Sequence, residues 1–224
     1  AAKNSGISLD KILNTISKLK PVEGRFEKIG KIKNQSKVIL DYAHTPEALK
    51  TCLLNLREQF PDKKITLLFG CGGNRDKNKR PKMGKIASSF SDKIYLTDDN
   101  PRYENPKKIR RDIRKGIKRK KIIEIPDRAK AIFEAIKNLK TGEILLVAGK
   151  GHEKTQDIGK RKIFFSDKKK ILDAIKKKNL NLSNNLKLNI ISESSNYKKF
   201  SSFLSVKKAR IDSKEVKKDD MFFA

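Results

Sequence analysis

A chain of 224 residues with 36% hydrophobic content has room for one ordinary domain plus flanking pieces, and its apolar residues fall in short, separated clusters. No stretch is long and apolar enough to cross a bilayer, no charged-then-apolar signal peptide opens the sequence, and Cys52 and Cys71 are too few for a disulfide framework or a metal cage, so a reducing, cytoplasmic setting is expected. Lys+Arg 55 against Asp+Glu 26 gives +29, the electrostatic footprint of a nucleic-acid binder, yet the basic residues recur along 107–121, 168–178 and most turns instead of forming one arm. With sparse aromatics outside the basic runs, the charge reads as lysine-filled solvated faces with no specific nucleic acid partner; a basic nucleic-acid-binding α/β module stays as the alternative.

Residues 7–19 predict an amphipathic helix, capped by Ser8, with Ile12, Leu13, Ile16 and Leu19 at helical spacing and Pro21 as its stop. Residues 26–32 and 37–40 flank a polar turn as a hairpin would. A helix follows from Pro46, with Thr45 as cap and Glu47 in the positive first turn. Strands are then expected at 65–69, 93–96, 121–125, 143–147 and 162–165, and helices at 83–90, 106–117, 127–139 and 166–177, with a short helix near Gly151. Short apolar strands alternating with amphipathic helices indicate an α/β fold with a mainly parallel, Rossmann-like sheet flanked by helices. Residues 179–190, rich in Asn, Leu, Ser and Lys, read as a linker, and short strand-like pieces follow it.

The unusual polar and glycine-rich segments come directly after predicted strands: Asp41-Tyr-Ala-His-Thr-Pro46, Gly70-Cys-Gly-Gly-Asn-Arg-Asp76, Thr97-Asp-Asp-Asn-Pro-Arg102 and Gly149-Lys-Gly-His-Glu153. In an open α/β sheet ligands bind beyond the carboxyl ends of the strands, so these loops are expected to line one rim. Both histidines, His44 and His152, lie in them. Each loop has a plain structural reading as well: Gly70, Gly72 and Gly73 turning the chain, Asn-Pro starting a turn, His44 capping a helix, Glu153 as a surface charge. As a functional set, Arg75 and Arg102 suit carboxylates, and Glu153 suits an ammonium group. Gly149-Lys-Gly lacks the spacing of a phosphate loop, and no such loop occurs in the chain.

Seven landmarks stand in order: Pro21-Val-Glu-Gly-Arg-Phe-Glu27, Asp41-Tyr-Ala-His-Thr-Pro-Glu-Ala48, Phe69-Gly-Cys-Gly-Gly-Asn-Arg-Asp-Lys77, Lys79-Arg-Pro-Lys-Met-Gly84, Thr97-Asp-Asp-Asn-Pro-Arg102, Asp127-Arg-Ala-Lys-Ala-Ile132 and Val147-Ala-Gly-Lys-Gly-His-Glu153. Together they resemble the C-terminal part of the Mur ligases, in the branch that adds meso-diaminopimelate. The resemblance implies an ATP-dependent ligase of peptidoglycan synthesis, joining UDP-MurNAc-L-Ala-D-Glu to meso-diaminopimelate through an acyl phosphate. It implies that Arg75, Asp99, Asn100, Pro101, Arg102, Gly149 and Glu153 hold the diamino acid, that Arg25, Asp41 and His44 contact ATP, and that His44 is a catalytic candidate. A related amide ligase adding another amino acid is the further alternative. Asn74 and Asn78 depart from the family pattern outside these contacts.

The resemblance also implies a division of the chain: 1–23 as the last helix of a central ATPase domain, 24–178 as the amino-acid-binding domain, 179–190 as linker, and 191–224 as the start of a second α/β domain. Asp212-Ser-Lys-Glu-Val-Lys-Lys-Asp-Asp-Met-Phe-Phe-Ala224 resembles the opening of the D-alanyl-D-alanine-adding member of the family, as in a fused bifunctional protein. Mg2+ and most of the ATP and UDP-sugar contacts are expected in central and N-terminal domains missing from this chain, no metal ligands within it, and the fragment alone is expected to be inactive.

Overall fold

Two strands are buried at every position, Ile65–Phe69 (β3) and Ile144–Ala148 (β6), because each is an unbroken apolar run covered on both faces. The computed structural model describes residues 5–16, 18, 22–118, 121–194, 208–210 and 220–222, in two compact units, 1–179 and 180–224. In the first unit β3 and β6 form the middle of a six-stranded sheet with Glu27–Lys28 (β1), Lys37–Asp41 (β2), Lys93–Leu96 (β4) and Lys121–Glu124 (β5), in the order β1-β2-β6-β3-β4-β5. All neighbours pair in parallel except β1, which runs antiparallel to β2 at the edge. The mainly parallel sheet flanked by helices is the architecture expected from sequence.

Helix starts follow local chemistry. Pro46–Gln59 (α2) begins with Thr45, whose Oγ1 accepts from Ala48 N at 3.2 Å, and has Pro46 where a missing N–H costs nothing. Pro106–Arg114 (α4) repeats the device, with Asn105 Oδ1 accepting from Lys107 N at 2.9 Å. Arg128–Lys137 (α5) is capped by Asp127, which accepts from Lys130 N at 2.9 Å.

Strand alternation divides the core. Ile39, Leu67, Phe69, Ile94, Leu96 and Leu146 cluster with α2, α4 and Lys79–Phe90 (α3), through Leu49, Leu53, Leu56, Met83, Ala87, Ile109 and Ile113. The intervening residues Val38, Leu40, Leu68, Tyr95, Leu145 and Val147 are equally buried but lie outside that cluster, and α5 contacts β3, β4 and β6. Truncating a fully buried leucine such as Leu53 to alanine should cost about 2–5 kcal/mol.

Several local expectations differ from the structure. The first helix, α1, spans Leu9–Ile16, while Leu19 and Pro21 lie outside the described residues. Helix α3 starts at Lys79, earlier than its apolar pattern suggests, because Arg80 is buried by ion pairs with Glu104 and Asp112. No helix forms near Gly151, where the chain makes a turn. The strand Lys162–Phe164 (β8) pairs antiparallel with Thr155–Asp157 (β7) in its own two-stranded sheet. The last helix, α6, spans Asp167–Ser194, so the stretch read as a linker is helical. In the second unit Lys208–Arg210 (β9) pairs in parallel with Asp220–Phe222 (β10); the other expectations for 195–224 fall outside the described residues. Among the described residues no helix is long and apolar enough to cross a membrane.

Candidate functional site

The loops that leave β2, β3, β4 and β6 at their carboxyl ends surround one cavity of about 530 Å³. Of the candidates for the diamino acid, Arg75, Asp99, Asn100, Arg102, Gly149 and Glu153 all line it, as does His44. Pro101 stands just behind, its carbonyl accepting from Glu104 N at 3.1 Å. Arg25 and Asp41 are not among the lining residues.

The two arginine-bearing loops brace each other. Gly73 N donates to Asn100 O at 2.8 Å, Arg102 Nη1 donates to Gly73 O at 2.8 Å, and Tyr103 N donates to Asn74 Oδ1 at 3.1 Å. Asn74 and Arg102 both carry left-handed backbone, at φ 49 and 50, which the braces must hold against its intrinsic cost. Beneath them the buried Arg80 guanidinium spans Gly72 O and both oxygens of Glu104, and this hydrogen bonding holds the Glu104 carboxyl below its ordinary range. The hairpin β7–β8 adds a third support: Gln156 Nε2 donates to Asp99 O at 2.6 Å and Arg102 N donates to Asp157 O at 3.0 Å.

The loop after β6 approaches closely. Gly149 has φ 115, and a Cβ there would come within 2.7 Å of Asp99 Oδ2, so only glycine fits. Asn100 Nδ2 donates to Glu153 Oε2 at 2.9 Å. Lys150, fully buried, donates from Nζ to the same oxygen at 2.7 Å and to Asn100 Oδ1 at 2.9 Å. Burial works to raise the Glu153 carboxyl, but the Lys150 and Asn100 hydrogen bonds win and hold it below its usual range. Arg128, also fully buried, pairs with Asp167 through Nε and Nη2 at 2.8 and 2.6 Å and donates to Ala148 O at 3.0 Å, pinning the end of β6 just before Gly149.

On the other side Tyr42 lies against His44 and His152, with ring centroids 4.6 and 5.3 Å apart, and the Arg25 guanidinium sits 4.8 Å over the Tyr42 ring. Asp41 does not face outward: its two oxygens accept from Phe26 N and Ala43 N, each at 2.7 Å, fixing the segments that carry Arg25 and His44. His44 Nδ1 lies 2.9 Å from Tyr42 O. A carbonyl only accepts, so Nδ1–H is the donor in this contact. Lys79 Nζ donates to His44 O at 2.8 Å and links this side to the start of α3.

The cavity is therefore bipolar, with guanidinium groups on the loops after β3 and β4 and carboxylates at Asp99 and Glu153. Such an arrangement grips a zwitterion by both signs of charge. Among the described residues no group of three or more His, Cys, Asp or Glu could hold a metal ion. Sequence reasoning passed over Lys150, Arg128, Tyr42 and Lys79; Lys150 and Arg128 lay inside quoted landmarks, three residues before Glu153 and one after the cap Asp127, but lysine and arginine read as solvated by default.

Residues 24–151 match the family model described as "Mur ligase, glutamate ligase domain". A UDP-N-acetylmuramoyl-L-alanyl-D-glutamate–2,6-diaminopimelate ligase from Rickettsia bellii is 48% identical over 164 residues, which make up 73% of this chain and 34% of that protein. A solved structure of a ligase with the same name superposes with a TM-score of 0.65 at 35% identity, covering 78% of this chain and 36% of the other. The MurF ligase from Thermotoga maritima in complex with ADP shares the fold, with a TM-score of 0.52 at 21% identity over 81% of this chain and 36% of its own. The chain spans about a third of the length of the curated relatives it matches.

Proposed function

Since this chain belongs to the Mur ligase family, we propose that it is the amino-acid-delivering part of an ATP-dependent ligase that joins meso-diaminopimelate to UDP-MurNAc-L-Ala-D-Glu in the cytoplasm. One observation carries the reading. Arg75, Asn100, Arg102 and Glu153, from the loops after three different strands, converge on a single cavity. The relatives named for 2,6-diaminopimelate ligation support the choice of amino acid.

Diaminopimelate has two zwitterionic heads. Arg75 and Arg102 take its carboxylates, Asn100 Nδ2 offers a further donor, and Asp99 and Glu153 take ammonium groups. Gly149 leaves the backbone free of a side chain where the ligand must pass, and Pro101 shapes the loop that presents Arg102. The attacking amine must first shed a proton, and His44, which lines the cavity, is assigned to accept it.

For ATP the chain offers a cationic and aromatic face at Arg25, Tyr42, His44 and His152, with Asp41 holding Arg25 and His44 in register. ATP supplies the phosphoryl group that turns a carboxylate into an acyl phosphate. The ligase reading assigns Mg2+ and most nucleotide contacts to other domains of the full-length protein. Residues 1–23 are proposed as the last helix of the domain that carries them, and 191–224 as the start of a second Mur ligase unit.

The test is ligation by the full-length protein supplied with ATP, Mg2+, UDP-MurNAc-L-Ala-D-Glu and either meso-diaminopimelate or lysine. ATP-dependent joining of diaminopimelate in preference to lysine is expected; equal use of lysine, or none of diaminopimelate, overturns the reading.

A further inference from the structure

Lys150 is a fully buried lysine, its ammonium removed from water altogether, as are the guanidinium groups of Arg80 and Arg128. Burying such a group is strongly unfavourable unless it is paired and hydrogen-bonded. The partners of Lys150 are two polar side chains of the cavity that come from different loops, Glu153 Oε2 at 2.7 Å and Asn100 Oδ1 at 2.9 Å. Asn100 Oδ1 also accepts from Asp157 N at 3.0 Å. Two donors on one oxygen fix the orientation of the amide, so Nδ2 is the end directed at Glu153, 2.9 Å from Oε2. Oε2 thus takes both the lysine and the amide, and the charge of Glu153 is matched inside the protein before any ligand arrives.

Resting on the ligase reading, we propose that Lys150 is a positioning residue for the amino acid: it locks Asn100 and Glu153 into one unit that shows the cavity an amide N–H beside a carboxylate oxygen. That pair complements a head group carrying a carboxylate next to an ammonium. Without Lys150 the amide oxygen keeps only the Asp157 N–H as a donor, and the Glu153 carboxylate loses its paired cation, leaving the Asn100 hydrogen bond and the Arg128 charge to favour its ionised form. The arrangement discriminates by presenting the wrong end of the amide to a ligand that lacks the carboxylate.

The experiment uses the full-length protein and its Lys150→Met and Lys150→Arg variants, with KM and kcat measured separately for the diamino acid and for ATP across pH. For Lys150→Met, KM for the diamino acid should rise at least about tenfold while KM for ATP stays within about twofold. The acid limb of its kcat/KM profile should move to higher pH, as Glu153 protonates more easily without its partner. Lys150→Arg keeps the charge and should return the acid limb to its original position. Its KM should stay raised, because a planar fork replaces a point charge between two acceptors. Should Lys150→Met fail to fold, Lys150→Arg decides by the same KM split. Unchanged KM and unchanged acid limb in a folded variant reduce Lys150 to a structural role and overturn the proposal. An unmodified protein that joins no diamino acid sinks the ligase reading and this proposal with it, an outcome distinct from an active protein indifferent to Lys150.

Discussion

Replacing Arg128 by methionine should destabilise the first unit severely, whereas replacing both Arg128 and Asp167 by apolar residues should not. Both side chains are 0% exposed, and three hydrogen bonds of 2.6 to 3.0 Å tie the guanidinium to Asp167 and to Ala148 O. Taking away the cation leaves a carboxylate buried without its partner, at a cost of about 3–5 kcal/mol. For a unit of this size each kcal/mol lowers the melting temperature by about 2–4 °C, so a drop of roughly 6–20 °C is expected. The intact pair is itself imperfect, because Arg128 Nη1 is buried with no hydrogen-bond partner, a defect worth about 1–3 kcal/mol. Arg128→Met with Asp167→Leu removes both the pair and that defect, and should recover to within about 1–2 kcal/mol of the parent. Urea unfolding with an unchanged m-value measures Arg128→Met, Asp167→Leu and the double variant. A double variant as unstable as the two single losses added together would refute the reasoning, as would a single Arg128→Met change costing under about 1 kcal/mol.

Three further outcomes follow from the geometry. Arg102→Ala should weaken use of diaminopimelate by about 2–5 kcal/mol in kcat/KM with little change in KM for ATP, and normal use would remove Arg102 from the site. Gly149→Ala must place a methyl 2.7 Å from Asp99 Oδ2 on backbone at φ 115, a strain of about 1–3 kcal/mol visible in urea unfolding; parental stability would contradict it. Burial pushes the Cys71 thiol up to about 12, so its contribution to stability is complete below the ordinary thiol range near 8.5 and is lost as pH rises toward the folded value. Iodoacetamide should therefore label Cys71 slowly in the native protein at pH 8 and quickly after denaturation, and equal rates would show an accessible thiolate.

The sheet was readable from the sequence where a strand is buried on both faces. Residues 65–69 and 93–96 are short apolar runs bounded by polar turns, and they became β3 and β4 at those limits. Elements whose cause lies elsewhere in the chain were not readable. Helix α3 begins at Lys79 because Glu104 and Asp112 neutralise Arg80, and no local window contains all three. Strand β7 is only Thr155–Asp157, too short for any periodicity, and exists by pairing with β8. The extension of α6 through an Asn-rich stretch carries no amphipathic signal of its own. In the site, residues that face the cavity were found because polar loops after strands mark the rim. Lys150 and Arg128 were not, since a buried cation differs from a solvated one only in its partners, and those lie up to 50 residues away.

The braces between the loops after β3 and β4 set a limit on redesign. Gly73 and Asn74 bond to Asn100, Arg102 and Tyr103, and Arg80 holds Gly72 and Glu104 from below. Grafting residues 97–104 from a homologue with another amino-acid preference would strand half of these partners and release two left-handed backbone positions at once. Because 97–104 also bonds to Lys150, Glu153, Gln156 and Asp157, the smallest transplantable module is 70–80 and 97–104 together with 149–157, and an exchange of preference is expected only when all three travel.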